Sequence, residues 1–166
     1  APLLAAVIGL VAAGLLLEVG VRLLIPVSDF FWEPDRVMGV QLVPGKSGRW
    51  VKPGLFDVRV TINAHGFRDR EHTWDKPAGV KRVALLGDSY VEALQVPLEQ
   101  SVSVVLEQRL RAQGVNAETV NLGVSGFGTG REYLMLRERG LRYAPDVVLL
   151  FFVGNDLLNN SRRLEG

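Results

Sequence analysis

The sequence has no cysteine and only two histidines, His65 and His72. The missing cysteine excludes disulfides, thiolate chemistry and Cys-based metal sites, and leaves the redox compartment unreadable. Charge of one sign is also lacking. Nineteen basic and 18 acidic residues give a formal net charge of +1, without the basic footprint of a nucleic-acid binder. Leaving out the N-terminal apolar segment removes Glu18 and Arg22 together and keeps that balance. No internal repeat or low-complexity stretch occurs. What is present is an apolar share of 48% in 166 residues, enough for one domain with a core plus an appendage. The chain begins at Ala1 and stops at Arg-Arg-Leu-Glu-Gly without a closing element, which predicts a processed or partial chain at both ends.

Three regions follow from composition: 1–26 as a transmembrane helix, 27–80 as a connector with short β-strands, and 81–166 as an α/β domain. Residues 1–17 carry no charge, and the apolar pattern runs on to Ile25 before Pro26. Residues 2–25 as a helix would be about 36 Å long at ~1.5 Å per residue, enough to cross a hydrocarbon core of ~30 Å. Glu18 and Arg22, four apart, share a face and can pair while reaching the interface. A cleaved signal peptide is the alternative; the length of the stretch and the lack of a clear small-x-small cleavage site favour a retained anchor. Phe30, Phe31 and Trp32 suit either the headgroup level or a core.

The connector is rich in Gly and Pro. Val58, Val60 and Ile62 alternate with Arg59, Thr61 and Asn63, which predicts a half-buried strand, with 48–51 as its hairpin partner across Pro53-Gly54. The run GVQLVPGKS at 39–47 looks like a phosphate loop but has five residues between its glycines where four are needed. Neither histidine has a carboxylate at a suggestive spacing, so both read as turn or surface residues.

From Arg82 onward strand and helix alternate. Strands are expected at 83–86, 119–122 and 147–153, with helices at 98–113 and 130–143 between them. Val102, Val105, Leu106 and Leu110 share one side of the first helix, and Glu138 and Arg142 are spaced to pair on the second. This order implies right-handed crossovers and a parallel sheet. The strand ends are then the informative part. They read Gly87-Asp88-Ser89, Asn121-Leu122-Gly123-Val124-Ser125-Gly126, and Gly154-Asn155-Asp156. In a parallel sheet all three lie along one edge, so a hydroxyl, a Gly-rich loop and a carboxamide converge. Acyl transfer needs such a set, a nucleophile beside donors aimed at a developing oxyanion. The candidate site residues are Ser89, Gly126 and Asn155. Taken singly, each strand end also reads as a common turn, a plain loop or a helix cap.

GDS at 87–89, NLGVSG at 121–126 and GND at 154–156 resemble the first three sequence blocks of the SGNH/GDSL hydrolases, and NAHGFRD at 63–69 points to their membrane-anchored bacterial members. The resemblance covers about residues 60–160. It implies a flavodoxin-like three-layer α/β/α fold, with Ser89 as nucleophile and the Ser89 N–H, the Gly126 N–H and the Asn155 side chain as the oxyanion hole. It also implies an ester or O-acetylated substrate, with no metal and no organic cofactor. The family's Asp-x-x-His block, which supplies the base, has no match after His72.

Two functions follow as expectations. One is a membrane-anchored esterase or O-acyltransferase acting in the periplasm or otherwise outside the cytoplasm. The other is a non-catalytic accessory subunit of a respiratory or photosynthetic membrane complex, with Ala5, Ala6, Gly9, Ala12, Ala13 and Gly14 allowing close helix packing against other subunits. A nucleotide-binding module is disfavoured because no phosphate-loop lysine stands at the right spacing.

Overall fold

The computed structural model describes residues 2–24 and 27–161. Helix α1, Pro2–Leu24, exposes its apolar side chains from Pro2 to Val21, and among the described residues it is the one helix long and apolar enough to cross a membrane. The expected continuation through Ile25 and Pro26, and the Arg22 side chain of the expected Glu18–Arg22 pair, lie outside the described residues.

Two hairpins follow. Strands β1 (Trp32–Asp35) and β2 (Gly39–Leu42) pair antiparallel, as do β3 (Ser47–Lys52) and β4 (Phe56–Thr61). The second hairpin is the expected one, in a register that sets Trp50 opposite Val58 and Gly48 opposite Val60. Val58, Val60 and Ile62 are buried with Phe31, Leu42 and Leu94. Phe31 is therefore a core residue, whereas its neighbour Phe30 is exposed. The first hairpin has no counterpart in the sequence reading. Pro34 breaks its pattern, and only Leu42 of the two strands is buried.

The α/β body is a parallel three-stranded sheet in the order β6-β5-β7, where β5 is Lys81–Leu86, β6 is Ala117–Asn121 and β7 is Val147–Leu150. Central β5 is buried from Arg82 to Leu86. Between the strands lie α2 (Ser89–Glu92), α3 (Val102–Ala112) and α4 (Thr129–Glu138), and α5 (Asp156–Asn159) follows β7. The main core joins Ala84, Leu86, Val120, Leu122 and Phe127 of this body to Met38 and Phe67 of the connector, so the two regions share one apolar interior.

Several expected boundaries shift. Residues 98–100 form a separate 3₁₀ turn because Ser101 is extended and its hydroxyl caps α3 at Val104 N. The second helix ends at Glu138, and residues 140–143 form another 3₁₀ turn. That break overturns the expected Glu138–Arg142 pair: Glu138 binds Arg137 at 2.6 Å, and the Arg142 guanidinium lies 4.1 Å from the Trp74 ring. Strand β7 stops at Leu150 rather than Val153, because its partner β5 ends at Leu86 and the chain turns away there.

Candidate functional site

The end of β5 turns sharply because Gly87 packs against α2; a Cβ there would sit 2.3 Å from Val91 Cγ2. Asp88 caps α2, accepting the Tyr90 N–H at 3.0 Å, and Ser89 is the first helical residue, half-buried. The carboxylate oxygen of Asp88 that does not cap the helix accepts the Asn155 Nδ2 at 2.6 Å. That bond draws the end of β7 to the turn bearing Ser89. An amide NH₂ has two hydrogens, so Asn155 keeps one to donate elsewhere.

The end of β6 is fastened to the same place. Val124 N donates to Gly87 O at 3.1 Å, and Asn121 Nδ2 donates to Val91 O at 2.8 Å. Gly123 touches the α2 backbone so closely that a Cβ would lie 2.5 Å from Glu92 N. Gly126 is exposed with open space around it, and what its place requires is a left-handed φ of +77°. The reason for glycine there is thus backbone conformation. The loop is also tied to the segment after β7: Asn159 Nδ2 donates to Phe127 O at 3.2 Å, and Gly130 N donates to Asn160 Oδ1 at 3.0 Å.

Four acids are buried at this edge: Asp88, Glu92, Glu132 and Asp156. Glu92 accepts the Trp32 indole N–H at 3.0 Å and the Ser125 hydroxyl. Burial pushes its carboxyl up to about 7, against those hydrogen bonds and the Arg68 charge. Glu132 has neither oxygen hydrogen-bonded among the described residues, and burial together with the Asp156 and Asp88 charges raises it to about 7. Sequence reasoning missed Glu92 and Glu132. The only signal was an acid inside an otherwise apolar helix face.

The histidines are not at this edge. His65 Nδ1 lies 2.6 Å from the Tyr143 hydroxyl, with its ring stacked on Trp74. His72 is buried, against expectation, between two carboxylates: Nδ1 is 2.7 Å from Glu118 Oε1, and Nε2 is 3.0 Å from Asp69 Oδ2, off the hydrogen-bond direction. Burial alone would lower its pKa; Asp69 and Glu118 outweigh it and raise the pKa. Asp69 lies three residues earlier, a spacing that was visible, while Glu118 lies 46 residues away and was not. Glu118 also holds the buried Arg82, with Nε at 2.7 Å from Oε2. Among the described residues no cluster of three or more histidine or acidic side chains is arranged to hold a metal ion. A cavity of about 610 Å³ lies between β4, residues 68–71 and residues 97–99, and none of Ser89, Gly126 and Asn155 lines it.

Residues 85–165 match the sequence profile of the GDSL-like Lipase/Acylhydrolase family. Among solved structures, the chain is similar to AlinE4, an SGNH-hydrolase family esterase, with 28% identity and a TM-score of 0.44. The match covers 54% of this chain and 49% of that one, so the chain spans about half the length of the esterase. A single-residue variant of AlinE4 matches with the same coverage and identity and a TM-score of 0.42. No curated protein matches.

Proposed function

The chain belongs to the SGNH/GDSL hydrolase family, the match lying over residues 85–165, and from that premise we propose a membrane-tethered serine ester hydrolase or O-acyltransferase working outside the cytoplasm. In this reading Ser89 Oγ attacks the carbonyl carbon of an ester or O-acetyl group. The electron pair of the C=O bond moves to oxygen, and the resulting oxyanion accepts from Ser89 N, Gly126 N and the free hydrogen of Asn155 Nδ2. Collapse of the tetrahedral intermediate expels the alcohol and leaves an acyl-serine, which water or a second hydroxyl then cleaves. The serine proton needs an acceptor, and His65 and His72 both face other partners. The reading therefore takes its base from outside residues 1–166, as an Asp-x-x-His block would supply it.

The observation that carries the proposal is the 2.6 Å bond from Asn155 Nδ2 to Asp88 Oδ2, which sets a carboxamide donor beside the residue preceding Ser89. The test is hydrolysis of acetyl esters by the full-length protein. Ser89→Ala is expected to abolish turnover. Asn155→Ala is expected to slow it about a hundredfold, the usual result of losing one oxyanion donor, roughly 3 kcal/mol. Full turnover in Ser89→Ala would end the proposal. The accessory-subunit reading rests on the exposed apolar surface of α1 from Pro2 to Val21 and would gain from copurification at fixed stoichiometry with other membrane proteins.

A further inference from the structure

Gly126 is a candidate donor with little to hold it. It is exposed, no atom stands within 4 Å of where a Cβ would be, and its carbonyl receives one bond, from Arg131 Nη1 at 3.2 Å. A useful oxyanion donor must keep its place to a fraction of an ångström while the reaction proceeds. The residue before it supplies the restraint. The Ser125 hydroxyl donates to Glu92 Oε2, and Glu92 Oε1 accepts the Trp32 indole at 3.0 Å. Glu92 lies three residues after Ser89 on α2 and is 1% exposed, so its carboxylate has few other ways to point. Its own backbone is the surface on which Gly123 packs. One side chain thus joins three elements: the helix bearing Ser89, the loop bearing Gly126, and β1 of the connector.

We infer that Glu92 is a positioning residue, whose carboxylate, steadied by Trp32, fixes Ser125 and through it aims the Gly126 N–H at the Ser89 side. This deepens the serine-hydrolase reading and rests on it. It also gives the connector a part in the active site, because the indole that steadies Glu92 comes from β1 rather than from the α/β body. Either oxygen of an ionised carboxylate accepts a hydrogen bond, and here both are used. A glutamine at 92 has one accepting oxygen and one donating NH₂, so it cannot accept from both Trp32 and Ser125 as the carboxylate does, and it keeps both contacts only if the Ser125 hydroxyl turns round to accept.

The test uses the full-length protein in detergent with p-nitrophenyl acetate as probe. Glu92→Gln is expected to lower kcat about 10- to 100-fold with KM changed less than about threefold, the pattern of a misplaced transition-state donor. Trp32→Phe, which removes the indole N–H and keeps an aromatic ring, is expected to act the same way, by roughly 3- to 10-fold. Ser125→Ala should lower kcat as Glu92→Gln does, and the double variant should be no worse than either single one, since both lie on one chain of contacts. Hydrogen exchange gives a readout apart from turnover: residues 123–127 should exchange faster in Glu92→Gln while β5 stays protected. Unchanged kcat with unchanged exchange, or multiplying losses in the double variant, would overturn the inference. A wild-type protein without Ser89-dependent cleavage would overturn the hydrolase reading instead. Exchange at 123–127 would then decide alone whether Glu92 holds the loop.

Discussion

Asp88 accepts the Tyr90 amide with one carboxylate oxygen and the Asn155 carboxamide with the other, so one buried side chain both starts the Ser89 helix and draws in the end of β7. Glu92, four residues on, makes the matching connection to the end of β6 and to β1. Its burial has a consequence for pH. The folded-state pKa is raised from an ordinary 4.5 to about 7, so the native state holds this proton more tightly than the unfolded chain does. The stability it contributes is complete below pH 4.5 and is lost as pH rises through about 7. The groups facing Glu92 are the Trp32 indole, the Ser125 hydroxyl and backbone N–H, and the Arg68 guanidinium, none of which changes charge in that window. Glu132, raised to about 7 by burial and by Asp156 and Asp88, acts in the same sense. Urea midpoints of wild type are expected to fall between pH 4.5 and 7, and Glu92→Gln to flatten that fall by removing one contributor while Glu132, and His72 at the upper end, remain. An equally steep fall in Glu92→Gln would show that Glu92 is not titrating there.

At the scale of elements, the joint between α2 and the 121–126 loop is main chain against main chain. At Gly123 a methyl group would meet Glu92 N at 2.5 Å and Val91 C at 2.8 Å, backbone atoms that cannot swing aside. Gly123→Ala is expected to cost roughly 1–3 kcal/mol in urea denaturation, the range for overpacking a tight interior. Gly54→Ala, where only a φ of +76° and open space are involved, should be milder, at about 1–2 kcal/mol. The strands of the parallel sheet and of the second hairpin were legible from their apolar runs, a local pattern, whereas β1 and β2, with Pro34 and a single buried residue, were not. The bonds that assemble the site were not. Trp32 meets Glu92 across 60 residues, Asn155 meets Asp88 across 67, and Glu92 meets Ser125 across 33, distances at which no periodicity carries information. The helix ends were missed for a smaller reason: Ser101 and Arg139 leave helical geometry within runs whose apolar spacing continues through them.

At the scale of the molecule, α1 leaves a span from Pro2 to Val21 of mean hydropathy 2.4 wholly unburied, while the remaining described residues build cores of their own. Its 23 residues reach about 35 Å, enough for a bilayer core of ~30 Å. A retained anchor predicts that the protein stays in the membrane pellet through alkaline carbonate and is released only by detergent. A cleaved signal predicts a soluble product whose N-terminus lies beyond Leu24. The shared core of Met38 and Phe67 with the sheet makes the connector part of the folded body, so residues 31–161 are expected to unfold in one transition.

The central claim is that the ends of β5, β6 and β7 form one oxyanion site around Ser89. Its most direct measurement is a crystal structure of the full-length protein after reaction with an alkyl fluorophosphonate. The account predicts a single phosphonyl group on Ser89 Oγ, with its free oxygen at about 3 Å from Ser89 N, Gly126 N and Asn155 Nδ2. An unmodified Ser89, or a phosphonyl oxygen turned away from Gly126 and Asn155, would contradict it.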